Sequence, residues 1–81
     1  MAVLRILSRK GDSRVEWDAD AVAQGDAEAM AAVQEAERIF AAERSRGSVA
    51  FRIFHGRPAQ RMDTFDPSAD DVVIVPRVAG G

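Results

Sequence analysis

The sequence predicts an α+β fold in which a mixed four- to five-stranded sheet packs on one long helix over about residues 26–46, with the chain leaving the body as an extended C-terminal tail. Three observations carry this reading. Two short runs near the N-terminus alternate apolar and polar residues with the period of a strand. A stretch of strong helix formers follows, with apolar residues three and four apart. Near the C-terminus, Val72-Val73-Ile74-Val75 sets four β-branched residues in a row, which fits a strand central in its sheet or buried on both faces. A helix with one apolar stripe and a sheet with one face to cover stack into a two-layer core, and a crossover that holds a helix permits parallel pairing of strands distant in sequence. Residues 1–76 are read as one domain and residues 77–81 as the tail.

The first strand is Val3-Leu4-Arg5-Ile6-Leu7-Ser8, with Leu4 and Ile6 pointing one way and Arg5 the other. Lys10-Gly11-Asp12-Ser13 is turn chemistry. Arg14-Val15-Glu16-Trp17-Asp18 then alternates, placing Val15 and Trp17 on the core face of a hairpin. The alanine-rich Ala19–Gln24 is interrupted by Gly25, whose helix penalty of about 1 kcal/mol relative to alanine argues for a break. Asp26 is the candidate N-cap of the main helix, whose core stripe is Met30, Val33, Ala36 or Glu37, and Phe40, widened by Ala29 and Ile39. Gln34, Glu35, Arg38, Glu43 and Arg44 fall on its outer face, and Ser45-Arg46-Gly47 supplies the stop. Val49, Phe51 and Ile53 alternate with Ala50, Arg52 and Phe54 in a further strand, which leaves either Phe51 or Phe54 relatively exposed. His55-Gly56-Arg57-Pro58 turns into a weakly strand-like Ala59–Thr64, and Asp66-Pro67-Ser68-Ala69 is a turn capped by Asp66 and Ser68. Asp70-Asp71 leads into the last strand and keeps its start in water.

That strand ends at Pro76, which has no N–H for a ladder, so the chain leaves the sheet as Arg77-Val78-Ala79-Gly80-Gly81. Five extended residues reach roughly 17 Å, enough to enter another protein's cleft. The terminal glycines lack a Cβ, so the walls of such a cleft can close on the backbone and the α-carboxylate of Gly81 stands unhindered as the candidate reactive group.

Val75-Pro76-Arg77-Val78-Ala79-Gly80-Gly81 resembles the carboxyl terminus of the ubiquitin-like superfamily, in particular the bacterial sulfur carriers of the molybdopterin synthase small-subunit and thiamine types. The order strand, strand, helix, strand, short strand, strand is similar to their β-grasp fold over nearly the whole chain. In that fold the first and last strands pair in parallel. The resemblance implies a carrier or modifier whose terminal carboxylate is adenylated by a partner activating enzyme. ATP and magnesium are used by that partner and no cofactor is held by this chain. Further partners implied are target proteins or a sulfur-accepting enzyme. Arg77 would help select the activating enzyme, Gly80 and Gly81 would thread its channel, Val78 and Ala79 would join in recognition, and Val73 and Val75 would form the docking face. Two departures stand out: molybdopterin-type carriers usually carry two prolines where this chain has Pro76-Arg77, a pattern closer to ubiquitin, and the helix is longer than in the sulfur carriers.

Composition sets the rest of the frame. In 81 residues, 47% of them hydrophobic, the core must be economical. A net charge of -2 disfavours nucleic acid and anionic membranes as main partners, and no apolar run spans a membrane or opens as a signal peptide, so the chain is read as cytoplasmic. With no cysteine there is no disulfide framework and no thiolate; any thioester forms on a partner's cysteine. Lys10 is the single lysine, the one internal acceptor for chains built on lysine. His55 is the single histidine, with no nucleophile or orienting group in evidence, Asp70-Asp71 lacks a third metal ligand, and there is no phosphate loop or zinc spacing, so the chain is read as no enzyme. The competing reading is an interaction or structural module on the same fold with an unreactive tail, as in a phage or mobile-element assembly.

Overall fold

The β-branched run near the C-terminus is the middle strand of five. The computed structural model describes residues 1–7 and 13–77. Its elements are β1 (Ala2–Ile6), β2 (Ser13–Trp17), α1 (Ala19–Ala23), α2 (Ala27–Ser45), β3 (Val49–Ile53), β4 (Gln60–Met62) and β5 (Asp71–Val75). The sheet order is β2-β1-β5-β3-β4. β1 and β5 pair in parallel, with Leu4 opposite Val72 and Ile6 opposite Ile74, and the other pairings are antiparallel. A crossover through the helices is what permits this parallel pair. The turn read at Lys10-Gly11-Asp12-Ser13 lies largely outside the described residues, as does Lys10.

One face of the sheet carries Ala2, Leu4 and Ile6 of β1, Val15 and Trp17 of β2, Val72 and Ile74 of β5, and Ala50 of β3, as the registers require. Leu4, Val72 and Ala50 are wholly buried and join Ala36 and Phe40 of α2 in the core. Each fully buried aliphatic side chain of the size of leucine or isoleucine contributes about 1.5–3 kcal/mol through removal from water. Phe65, in the β4–β5 connection, bridges the layers: its ring lies 5.8 Å from that of Trp17 and 5.7 Å from that of Phe40, both tilted. Trp17 is a core residue as its alternation predicts, and its buried indole N–H donates to the Pro67 carbonyl at 3.1 Å.

α2 starts where the sequence places it. The Asp26 carboxylate accepts from the Ala29 N–H at 2.9 Å, satisfying an orphan donor of the first turn. The packing stripe is the predicted one except at Met30. Ala29, Ala36 and Phe40 are buried, Ala32, Val33 and Ile39 are half-buried, and Met30 is 43% exposed. Ala36, not Glu37, takes the central position. Ahead of α2 the chain adds an element to the expected order: α1, a single turn and a half whose N-cap Asp18 accepts from the N–H groups of Asp20 and Ala21.

In β3 the pairing with β5 fixes which face turns inward. Its inward residue is Ala50, while Val49, Phe51 and Ile53 lie on the opposite face, and neither Phe51 nor Phe54 is fully exposed. Phe54 packs against the rim of the core beneath the Arg52 guanidinium, 5.9 Å from the ring centre. The predicted turn at 66–69 is present. Asp66 accepts from the Ser68 N–H and hydroxyl at 2.9 and 2.6 Å and from Arg52 at 3.2 Å. These bonds, the Ser68 hydroxyl first among them, hold the Asp66 carboxyl below the ordinary carboxylate range. Asp70 and Asp71 do more than stay in water: Asp70 accepts the His55 N–H at 2.6 Å and Asp71 pairs with Arg5 at 3.3 Å.

Candidate docking face and tail exit

Opposite α2 the sheet presents a second apolar face. Strict alternation along each strand makes the residues between core positions point away from the helix, and the register then assembles them. Val49 lies opposite Val75, Phe51 opposite Val73, and Ile53 opposite Asp71, with Val3 beside Asp71 on the far side of β5. No element of the described residues covers this face, and Val75 is 39% exposed. Arginines rim it. Arg5, opposite Val73, pairs with Asp71 at 3.3 Å; Arg14 pairs with Glu16 at 3.6 Å; Arg61, opposite Phe51, lies 3.9 Å from Asp63. The Arg5 Nε is buried with no acceptor among the described residues. Apolar side chains flanked by paired arginines and carboxylates make a surface suited to a partner that brings an apolar anchor.

The predicted docking residues Val73 and Val75 are thus brought together, and Val49, Phe51 and Ile53 join them. Alternation alone leaves open which face of β3 turns to the core, so the sequence did not assign these three to the docking face.

β5 ends at the edge of this face, beside the C-terminus of α2. Val75 is followed by half-buried Pro76 and exposed Arg77. Gly47, at the helix stop, has φ +89°, the left-handed conformation that favours glycine. Its N–H bonds to the Arg44 carbonyl at 3.0 Å, and the Ser48 N–H bonds to the Glu43 carbonyl at 3.0 Å, so the last helical carbonyls are satisfied as the chain turns into β3. Ser48 is the one buried polar residue among those described, and three groups satisfy it. Besides the backbone bond, its hydroxyl donates to Glu43 at 3.0 Å and its carbonyl accepts from Arg44 at 3.0 Å. Arg44 also reaches Asp63 at 3.2 Å, and Glu43 also meets Arg46 at 3.4 Å. Glu43 and Arg44 are therefore not simply outer-face residues. They fold back to brace the helix end against β3 and the β4–β5 connection. The outer-face reading holds for Glu35 and Arg38, whose exposed pair closes at 2.6 Å; that bond lowers the Glu35 carboxyl and raises the Arg38 guanidinium from their ordinary values.

Arg77 alone of the predicted tail lies within the described residues. Val78, Ala79, Gly80 and Gly81 lie outside them. At the other end of the molecule, an open cleft between β2 and the helices is lined by Glu16, Asp18, Asp26 and Glu28, so the acidic groups gather away from the tail exit. Among the described residues no group of histidine and carboxylate side chains is arranged to hold a metal ion, His55 is fully exposed, and no helix is long and apolar enough to cross a membrane. In comparisons with protein-family models, curated proteins and solved structures, the chain matches none.

Proposed function

We propose that this chain is a small β-grasp carrier or modifier whose Gly81 carboxylate is adenylated by a separate activating enzyme, for sulfur transfer or for conjugation to another protein. The observation that carries the reading is the position of β5. The strand that runs into Val75-Pro76-Arg77 and the Gly80-Gly81 end is central in the sheet, parallel to β1, and contributes Val73 and Val75 to the uncovered apolar face. One element therefore serves both the docking face and the exit of the chain. A mixed sheet of five strands with a helix on one face supports the β-grasp assignment.

The chemistry follows from the carboxylate. An anionic carboxylate resists nucleophiles and offers no good leaving group, and a mixed anhydride with AMP removes both obstacles. A sulfur donor then gives a thiocarboxylate, and transfer through a partner's cysteine to an amine gives an amide. The activating enzyme supplies ATP, magnesium and the thiol. This chain supplies binding energy remote from the reacting atoms, which positions the carboxylate and lowers the entropic barrier of the encounter. In this reading the arginine-rimmed face docks, Arg77 selects the enzyme, and the two glycines pass through a narrow channel.

The test is pyrophosphate release on incubation with ATP and the activating enzymes encoded in the same genome. Release that disappears when Gly81 is deleted supports the carrier. A chain whose cellular role is indifferent to that deletion is an interaction module instead.

A further inference from the structure

Gly47 and Arg77 are register partners beyond the end of the ladder. In the β3–β5 pairing Val49 faces Val75 and Ala50 faces Ile74; continued outward by two residues, the same antiparallel register sets Gly47 against Arg77. Neither residue is in a strand, yet they meet. A Cβ built on Gly47 would lie 3.2 Å from the Arg77 Cδ and 3.5 Å from its Nη1, so the arginine stem lies across the bare α-carbon. The glycine is needed twice at this point: its φ of +89° closes the helix, and its missing side chain leaves the space that the arginine occupies. The guanidinium is thereby held beside the C-terminal pole of α2, where a positive charge is favoured.

We propose that Gly47 is a positioning residue for Arg77: its bare α-carbon is the seat that fixes the arginine, and with it the start of the tail, in the orientation that the activating enzyme meets. The seat itself rests on geometry alone; its effect on activation rests on the carrier reading. A Cβ at position 47 requires the stem to give by a few tenths of an ångström, whereas an effect through the helix end is independent of what stands at position 77.

A double-mutant cycle with nuclear Overhauser measurements separates these. The wild-type chain is expected to give a cross-peak between the Gly47 α-protons and the Arg77 δ-protons, and its absence overturns the proposal whatever the function proves to be. In pyrophosphate exchange, Gly47→Asn, which keeps much of the tolerance for positive φ while adding a Cβ, and Gly47→Ala are each expected to raise KM for the chain by about five- to tenfold at unchanged kcat, within the range of coupling between side chains in contact. Combined with Arg77→Ala, neither is expected to raise KM further. Equal increments with and without Arg77 place the role of Gly47 in the helix end alone and overturn the proposal. If no activating enzyme responds to the wild-type chain, the carrier reading falls and the cross-peak still decides the seat.

Discussion

The two faces of the sheet share β-branched residues of the same strands and differ in what covers them. Along β5, Val72 and Ile74 are buried to within 1% under α2, while Val73 and Val75 alternate with them onto a face that no described element covers. Along β3 the contrast is inverted in size: the small Ala50 faces the helix, and the larger Val49, Phe51 and Ile53 face away. A sheet that needed only one core would place its bulk inward and leave its outer face polar. The inward residues are fixed by the core under α2, and the outward ones are those that the proposed docking would use.

Substitutions can break that comparison. The largest effect belongs to the covered side: Phe40→Ala is expected to cost about 3–5 kcal/mol and Ile74→Ala about 2–4 kcal/mol in denaturant unfolding, through lost burial and a residual cavity. Val75→Ser is expected to cost less than about 1 kcal/mol and half-buried Val73→Ser about 1 kcal/mol, both below the inner pair, while weakening partner binding by about tenfold or more together, as central interface residues do. If the outer pair proves as costly to stability as the inner pair, the outer face belongs to the fold and not to a partner.

At the tail exit, Ser48→Ala removes the hydroxyl donor to Glu43, a carboxylate only 13% exposed, and is expected to cost about 1–2 kcal/mol by chemical denaturation, in the range of hydrogen bonds to charged groups. A smaller effect sharpens the account of the β4–β5 connection. Asp66 has its carboxyl lowered in the folded chain, so its contribution is fully present above the unfolded value of about 3.9 and is lost as pH falls through the lower folded value. Wild type and Asp66→Asn should therefore differ in melting temperature at neutral pH and converge in acid. Glu35→Gln, which opens a solvent-exposed pair, should leave the melting temperature unchanged.

Much of this architecture was legible in the residues, and the exceptions have physical causes. The order of the main elements follows from hydrophobic period, the Asp26 cap and the Gly47 stop, all local signals. Trp17 was legible because charged neighbours on both sides fix its face. The outward turn of Met30 was not, since an apolar residue three positions before Val33 reads as part of the core stripe. Nor was α1, five residues long and dependent on one aspartate cap. The face of β3 could not be read either: Val49, Phe51 and Ile53 satisfy the strand period equally well inward or outward, and only pairing with β5 decides it. The Gly47–Arg77 contact depends on residues brought together by the antiparallel register, which no local pattern carries, and the Ser48 bonds to Glu43 and Arg44 depend on how the chain turns after the helix.

The most direct test of the central claim is the intact mass of the chain isolated from its own cells, before and after loss of the activating enzyme. The account predicts a fraction carrying either sulfur in place of a terminal oxygen or a protein joined through Gly81, and it predicts that this fraction vanishes with the enzyme. A chain found only unmodified, or modified at a position other than Gly81, would contradict it.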